Sequence, residues 1–280
     1  MRSSAEGFAP ARTALAGNPS DGYGGAVLAV TLEGLGARAV ASDAEALSVS
    51  PESELVRATA ARCSSPARIE WSTNVPAHVG LGGSSAIVIA VLRALEPQLS
   101  PKDLALRAHA VEREDLGIPG GRQDQLVQAH GGLVLMDFSD DPKGSVERLD
   151  SALLPPLVVV WRAQAGEHSG IAHADLRSRY RRGDMAALAA LAHEAAAALR
   201  AGDRAGFARA VHESYLHRAA MVALQPQHVE MIETARAAGA AANYSGSGGA
   251  IVAVCEDLGH RDRVTAALRG LGCGVLSVPA

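Results

Sequence analysis

A glycine-rich turn directly before an apolar helical segment is the part of the sequence that points most clearly to chemistry. Glycines allow the backbone to curl so that successive N–H groups converge, and the start of a helix adds a partial positive charge. A phosphate group is a natural ligand of such a loop. The loop comprises Pro76, Gly80, Leu81, Gly82, Gly83, Ser84, Ser85 and Ala86. A tight strand-to-helix turn closed by a serine cap is the structural alternative.

Two acidic residues, Glu112 and Asp124, follow this turn in the segment VEREDLGIPGGRQDQL. They are twelve positions apart, and the glycines between them predict a turn that could bring both carboxylates to one cleft. Glu114 and Asp115 are competing carboxylates in the same segment, and a solvated helix position is the structural alternative for Glu112. This segment is therefore the second candidate for a functional site.

Charge and lysine content exclude several classes of protein. The chain has 280 residues, and 26 Lys and Arg against 30 Asp and Glu give a net charge of −4, which argues against a strongly basic nucleic-acid binder. Its two lysines, Lys102 and Lys143, both follow proline. A Walker A loop, a protein kinase and a pyridoxal enzyme each need a lysine in a different setting, so these classes are excluded.

The sequence shows no signal for export or membrane insertion. Its first residues lack the apolar core of a signal peptide, and no uncharged apolar run approaches the ~20 residues of a membrane helix. Cys63, Cys255 and Cys273 are too few and too scattered for a disulfide framework or a thiolate metal cluster. We expect a cytoplasmic protein without a nucleic-acid or membrane partner; homo-oligomerisation is left open.

The elements that must position these residues follow an α+β order. Strands are predicted at 26–32, 67–75, 131–138, 157–163, 250–256 and 274–280. Helices are predicted at 84–95, 101–116, 171–182, 184–201, 203–223, 226–239 and 261–270. Asp184 is expected to cap the fourth of these helices, and Gly202 is expected to end it.

A division of the chain near residue 150 is predicted from its turn residues. The polar cluster at 140–145 and the pair Pro155 and Pro156 interrupt the regular pattern between two apolar strands. We therefore predict an N-terminal domain at 1–150, which contains the glycine turn, and a C-terminal domain at 151–280.

Three segments resemble the motifs of the GHMP small-molecule kinases, the superfamily of galactokinase, homoserine kinase, mevalonate kinase and phosphomevalonate kinase. ARTALAGNPSDGYGG resembles the first motif, PAHVGLGGSSA the phosphate loop and YSGSGGAIVAV the third motif, in the same order and spacing over nearly the whole chain. The segments LAGNPSDGYGG, LGIPGGRQDQ and GGLVLMDF are most similar to segments of the glucuronokinases. The heptose-phosphate kinases share the pattern LGI-x-GG-x-QDQ.

The resemblance implies a fold and cofactors. It implies the two-lobed GHMP kinase fold of the α+β class, with an N-terminal domain like that of ribosomal protein S5 and a C-terminal ferredoxin-like domain. It also implies that the chain binds ATP and Mg²⁺.

Roles for individual residues follow from the same resemblance. Glu112 and Ser85, with Ser84 as a further ligand, would hold Mg²⁺ that bridges the ATP phosphates, which suits an ion that prefers hard oxygen ligands. Asp124 would orient or deprotonate the accepting hydroxyl. Arg12 would be the cationic partner of this aspartate. A surface salt bridge is the alternative for the pair.

The acceptor site is implied in the same way. Asp21 matches an aspartate that hydrogen-bonds sugar hydroxyls, and Asn18 stands where galactokinase-like members have a glutamate. The loop of the third motif would approach the substrate closely; it consists of Gly246, Ser247, Gly248 and Gly249. For a sugar carboxylate, Arg122 could form a bidentate fork, and Arg162 and His168 are weaker candidates.

These features together predict an ATP-dependent kinase that phosphorylates the anomeric 1-hydroxyl of D-glucuronate or a related uronic acid. A heptose-phosphate or neutral-sugar 1-kinase is one alternative. A non-catalytic sugar or nucleotide sensor is the other, and the presence of Glu112, Asp124 and the intact serine loop argues against it.

Overall fold

Two β-sheets with helices packed against them form the chain in a computed structural model, which describes residues 4–162, 182–222, 224–246 and 248–278. The strands are β1 (Ala5–Ala16), β2 (Ala26–Asp43), β3 (Ser48–Ser50), β4 (Ala67–Thr73), β5 (Leu133–Asp137), β6 (Ser145–Leu149), β7 (Leu157–Trp161), β8 (Ala241–Ser245), β9 (Ala250–Val254) and β10 (Gly274–Val278).

The helices connect these strands and cover the sheets. They are α1 (Glu54–Ala61), α2 (Gly83–Leu95), α3 (Pro101–Ala110), α4 (Gln123–His130), α5 (Arg182–Arg200), α6 (Arg204–Met221), α7 (Pro226–Ala237) and α8 (Leu258–Arg269). A π-helical turn, Val111–Asp115, continues α3. Short 3-10 helices span Ser20–Tyr23 and Ser151–Leu153. The α+β class predicted from the sequence is confirmed.

The first sheet is built around the long strand β2. The strand order is β3-β4-β2-β5-β6, with β1 also paired to β2. The start of β2 pairs with β5, its end pairs with β4, and β1 runs antiparallel along most of its length. Arg12 lies on β1 opposite Thr31 and is 3% exposed. The sheet therefore holds this arginine in the interior of the protein.

Helix α2 carries the glycine turn onto the first sheet. Gly82 precedes the helix with a φ of 71°, a left-handed conformation that favours glycine. Val88, Ile89 and Leu92 of the helix are fully buried. A Cβ atom on Gly7 of β1 would lie 2.0 Å from the carbonyl oxygen of Ala90, so the helix rests almost directly on the strand backbone. This close packing fixes the position of the loop at the start of α2.

The second sheet shares part of its core with the first. Its strand order is β10-β7-β9-β8, and all pairs are antiparallel. One apolar cluster includes Leu15 and Leu28 of the first sheet, Leu157 and Val159 of the second, and Phe207 of α6. The gap between β6 and β7 contains residue 150, but this shared cluster joins the two sides, and the domain bounds at 1–150 and 151–280 stay predictions.

Of the two predictions for the ends of α5, the one for its start was wrong and the one for its end is confirmed. Arg182 already belongs to the helix, so Asp184 lies in the first turn and the prediction that it is the N-cap was wrong. Gly202 follows the end of the helix with a φ of 69°, as expected of a glycine that ends a helix. The helix predicted at 171–182 lies outside the described residues except for its last position.

No helix in the described parts of the chain combines the length and the apolar character needed to cross a lipid bilayer. The cytoplasmic location expected from the sequence stays a prediction.

Candidate active site

A cleft of about 670 Å³ brings together segments from both halves of the chain. The first half contributes Arg12, the turn between β4 and α2, the π-helical turn and the segment before α4. The second half contributes Arg218 of α6, residues just beyond that helix, and Gly246. Most of the candidate residues of the sequence analysis lie in or beside this cleft.

The phosphate loop and the glycine loop of the third motif are in direct contact. Gly80 has a φ of 70°, and a Cβ atom on it would lie 2.5 Å from the carbonyl oxygen of Ser245 and 2.8 Å from that of Gly248. A Cβ atom on Gly246 would lie 2.6 Å from the carbonyl oxygen of Gly80. Glycine is therefore required on both sides, because any side chain would push the loops apart.

Six of the eight loop residues line the cleft: Pro76, Gly80, Leu81, Gly82, Gly83 and Ser84. Ser85 and Ala86 are buried and lie outside the set of lining residues. The Ser85 hydroxyl donates to Gln128 Oε1 at 2.7 Å, so this serine fastens the loop to α4. Their role in binding phosphate stays a prediction.

Ser84 is the serine that meets the carboxylate of Glu112. Its hydroxyl donates to Glu112 Oε1 at 2.6 Å, and the side-chain amide of Gln125 donates to Glu112 Oε2. Glu112 is 5% exposed, and burial raises its pKa to about 7. The metal site stays a prediction, and within it Ser84 has the position that the sequence analysis gave first to Ser85.

Asp124 and Arg12, predicted as a pair, lie in contact. Arg12 Nε donates to Asp124 Oδ1 and Arg12 Nη2 to Asp124 Oδ2, each at 2.7 Å, which is a bidentate contact. Arg12 Nη1 also donates to the carbonyl oxygen of Gly80 at 2.6 Å. The Asp124 side chain is 26% exposed and lines the cleft. One arginine therefore fixes the carboxylate beside the phosphate loop.

Asp21 and Asn18 lie beneath the residues that line the cleft. Asp21 accepts from the backbone N–H of Gln123 at 3.2 Å and from its Nε2 at 3.0 Å. Asn18 is 1% exposed and donates to the carbonyl oxygen of Tyr244 at 3.4 Å. Gln123 and Pro19 are cleft residues, whereas Asp21 and Asn18 are not. Direct contact of either with a substrate stays a prediction.

Asp21 gives a prediction about stability and pH. Burial raises its pKa from 3.8 to about 7, with a further contribution from the charge of Asp124. Between these values the folded state keeps a proton that the unfolded chain has released, so the contribution of Asp21 to stability is lost as pH rises through this range. Compared with wild type, Asp21→Asn should therefore become progressively more stable as pH rises from about 4 to 7, by ~4 kcal/mol at most.

The measurement is the free energy of unfolding by denaturant at several pH values. Asp262→Asn, a change at an exposed helix position, should leave the pH dependence as in wild type. Curves for Asp21→Asn and wild type that run parallel over this pH range would show that Asp21 does not hold a proton in the folded state.

Two neighbouring glycines before α4 give a second prediction. A Cβ atom on Gly121 would lie 1.7 Å from Asp21 Oδ2, whereas a Cβ atom on Gly120 would have nothing within 4 Å. Gly121→Ala must therefore displace the Asp21 carboxylate and should destabilise the fold by ~1 to 3 kcal/mol. Gly120→Ala should change stability by less than about 0.5 kcal/mol. Equal denaturation midpoints for the two variants would contradict this account.

Of the three groups predicted to recognise a sugar carboxylate, the two arginines that the structure describes do not line the cleft. Arg122 donates through Nη1 to the carbonyl oxygen of Pro142 and is not among the lining residues. Arg162 pairs with Glu230 at 2.6 Å, also away from the cleft. His168 lies outside the described residues. The assignment of Arg122 as a substrate residue therefore has no support from the geometry.

Only part of the loop of the third motif lines the cleft. Gly246 lines the cleft, whereas Gly248 packs against His228 and the Gly249 N–H donates to His228 Nε2 at 2.9 Å. Ser247 lies outside the described residues. Gly248 and Gly249 thus contact α7 rather than the space of the cleft, and their approach to a substrate stays a prediction.

The sequence analysis missed Arg218, a buried arginine that lines the cleft. It lies on α6 and donates through Nη1 to the carbonyl oxygen of Gly246 at 2.6 Å. A signal was available, because Phe207, Val211 and Ser214 precede it at helical spacing on the buried face of α6. A charged residue on such a face is a candidate functional residue.

Two family profiles match the chain. The family described as "GHMP kinases N terminal domain" matches residues 52–132, and that described as "GHMP kinases C terminal" matches residues 195–272. Together these matches cover more than half of the chain.

The curated relatives include kinases named for sugar substrates as well as homoserine kinases. Glucuronokinase 1 of Arabidopsis thaliana is 35% identical over 208 residues, which are 68% of this chain and 57% of that protein. The chain thus spans little more than half the length of this relative. D-glycero-alpha-D-manno-heptose 7-phosphate kinase of Campylobacter jejuni is 41% identical over 81 residues, or 28% of this chain and 24% of that protein.

A solved structure has the same fold. Phosphomevalonate kinase of Streptococcus pneumoniae superposes with a TM-score of 0.84 at 16% identity, and the match covers 98% of each chain. At this identity the similarity shows the fold alone, and it confirms the fold expected from the sequence.

Proposed function

The chain belongs to the GHMP kinase family, and we propose that it transfers the γ-phosphoryl group of ATP to the anomeric 1-hydroxyl of D-glucuronate or a related uronic acid. The observation that carries this proposal is the bidentate contact between Arg12 and Asp124, because it holds an accessible carboxylate beside a glycine loop suited to phosphate. The similarity to Glucuronokinase 1 supports the choice of acceptor.

The chain's own residues would perform this transfer by positioning and by moving one proton. The N–H groups around Gly80, Gly82 and the start of α2 bind the phosphates. Asp124 accepts a hydrogen bond from the acceptor hydroxyl and takes its proton as the new phosphorus–oxygen bond forms and the bond from the γ-phosphorus to ADP breaks, so that ADP leaves. Arg12 keeps the carboxylate in place, since both Asp124 oxygens receive its N–H groups.

The residues present fit a magnesium ion. Glu112 and Ser84 offer a carboxylate and a hydroxyl, the hard oxygen donors that Mg²⁺ prefers. The Glu112 carboxylate is buried, and repulsion from Asp124 adds to the effect of burial in raising its pKa. A cation would relieve both effects. When bound, Mg²⁺ would neutralise the charge that spreads over the phosphate oxygens.

A panel of sugars tests the proposal. Purified protein is given ATP and Mg²⁺ with D-glucuronate, D-galacturonate, D-glucose or D-galactose, and ADP release and the phosphorylated product are measured. We expect turnover with a uronic acid and formation of its 1-phosphate. Turnover of neutral sugars alone would contradict the choice of acceptor, and absence of turnover with every sugar would favour the sensor alternative.

A heptose-phosphate acceptor is the second candidate. It is favoured by the stretch that is 41% identical to the Campylobacter jejuni heptose 7-phosphate kinase. Adding a heptose 7-phosphate to the same panel separates the two candidates, because each predicts a different best acceptor.

A further inference from the structure

Arg218 is a buried cation in the cleft whose charge has no carboxylate partner among the described residues. Among the described residues it donates a hydrogen bond to the carbonyl oxygen of Gly246, and its Cζ atom lies 5.5 Å from the centre of the Tyr244 ring. In the described parts of the chain two other arginines line the cleft, but Arg12 is held by Asp124 and Arg113 is exposed. Arg218 therefore stands out as a cation available to a ligand.

Burial of the Arg218 charge costs free energy unless a ligand supplies an anion to pair with it. Arg218 is 8% exposed, and burial lowers its pKa to about 10. A carbonyl oxygen and an aromatic ring compensate a buried charge only in part. A guanidinium has five N–H donors in a planar fork, a geometry that matches the two oxygens of a carboxylate or phosphate group.

The position of Arg218 points to the acceptor. Gly246, its hydrogen-bond partner, also touches Arg12, because a Cβ atom on Gly246 would lie 2.8 Å from Arg12 Nη2. Arg12 in turn holds Asp124, the group proposed to take the proton of the acceptor hydroxyl. Arg218 is thus linked to Asp124 through Gly246 and Arg12, and Arg218 and Asp124 line the same cleft, in which the acceptor would lie.

We propose that Arg218 binds an anionic oxygen group of the acceptor and thereby selects acidic sugars over neutral ones. The inference rests on the proposed sugar kinase function. The anionic group is the carboxylate of a uronic acid or the phosphate of a sugar phosphate, and the two sources share the same chemistry. Arg218 takes the role that the sequence analysis gave to Arg122, whose guanidinium is turned to the Pro142 carbonyl.

The test compares Arg218→Met with Arg218→Lys and with Arg209→Met, an exposed position on the same helix. The acceptors are D-glucuronate, D-glucose and glucose 6-phosphate. In Arg218→Met, kcat/KM for the acidic acceptor should fall by about 30-fold or more, while kcat/KM for glucose and KM for ATP stay near wild type. Arg218→Lys should retain part of the activity, and Arg209→Met should match wild type.

The pattern of loss identifies the source of the anion. A loss confined to glucuronate assigns Arg218 to a carboxylate, and a loss confined to glucose 6-phosphate assigns it to a phosphate. An equal loss for acidic and neutral sugars overturns the proposal, since it would mean that Arg218 only supports the site. Removal of an unpaired buried charge should leave the thermal midpoint of Arg218→Met equal to or above that of wild type. Arg218→Gln replaces Arg218→Met if the latter does not fold.

A binding measurement separates this inference from the proposed function. Calorimetric titration of the protein with glucuronate and with glucose 6-phosphate, without nucleotide, reports recognition alone. If wild type binds an acidic sugar and Arg218→Met does not, the inference stands even when no phosphate transfer is detected and the kinase proposal fails. If wild type binds neither acidic sugar, the inference is overturned.

Discussion

Replacement of Asp124 by asparagine is expected to lower kcat by at least about 10²-fold while nucleotide binding is retained, because the amide can neither accept the hydroxyl proton nor carry the negative charge that faces Arg12. Both carboxylate oxygens receive N–H groups of Arg12, and the asparagine NH₂ would oppose one of these donors. The measurement is steady-state turnover of the preferred acceptor, together with equilibrium binding of a fluorescent ATP analogue.

Asp262→Asn is the matched control for this variant. Asp262 also pairs with an arginine, Arg261, but on the exposed face of α8, where its side chain is 70% exposed. This variant should keep the wild-type kcat, because a surface ion pair contributes little. A wild-type kcat in Asp124→Asn would remove the proton-accepting role from Asp124 and leave the pair with Arg12 as a structural contact.

Short-range signals explain why much of the phosphate loop could be predicted. The run of glycines followed by two serines and an apolar helix is a local pattern, and the structure has a left-handed Gly82 directly before α2. The contact between Arg12 and Asp124 joins residues 112 positions apart. No local sequence pattern predicts a contact between residues so far apart in the sequence. The pairing of Arg12 with Asp124 was predicted from the resemblance to the GHMP kinases.

The choice between Ser84 and Ser85 could not be read from the sequence. Adjacent residues of a helix point roughly 100° apart, so only one of the two hydroxyls can face the cleft. Which one does so depends on the rotation of α2 about its axis, and packing on the first sheet sets that rotation. Ser84 turns to Glu112, and Ser85 turns to Gln128 of α4.

Strand β1 was missed because its pattern is unlike that of a half-buried strand. From Ala9 onward every residue is buried, and the polar residues Arg12 and Thr13 are adjacent, so the usual alternation of apolar and polar residues along a strand is absent. Gly7 and Pro10 also disfavour a strand assignment. Gly7 is needed for the close approach of α2, a tertiary requirement that residue propensities do not contain.

Arg122 and Arg218 show that proximity in the sequence did not indicate which arginine lines the cleft. Arg122 was favoured because it is close in sequence to Asp124, but Arg122 directly precedes α4, and its side chain donates to the Pro142 carbonyl oxygen. Arg218 is 94 positions beyond Asp124 in the sequence, yet it lies in the same cleft. Proximity along the chain is a weak guide to a site that two halves of a protein build together.

Glu112→Gln is expected to raise the Mg²⁺ concentration for half-maximal activity by at least about tenfold. Loss of a residue that only orients a metal ligand typically weakens metal affinity by 10- to 100-fold. The effect of Glu112→Gln should be at least as large, because Glu112 would be a direct ligand and would supply a negative charge. Ser84→Ala should produce a smaller rise, because a neutral hydroxyl is lost. Ser85→Ala should keep the wild-type Mg²⁺ titration, since its hydroxyl is bonded to Gln128.

Glu114→Gln provides the control, since Glu114 belongs to the same π-helical turn but is 66% exposed and pairs with Arg62. Binding of Mn²⁺ in the presence of a non-hydrolysable ATP analogue, followed by electron paramagnetic resonance, gives a readout that does not depend on turnover. Weaker binding in Glu112→Gln and Ser84→Ala alone would support the metal site built from these two residues. A shift in Ser85→Ala without one in Ser84→Ala would return the role to Ser85, and unchanged titrations in all variants would mean that the buried Glu112 carboxylate serves the fold rather than a metal ion.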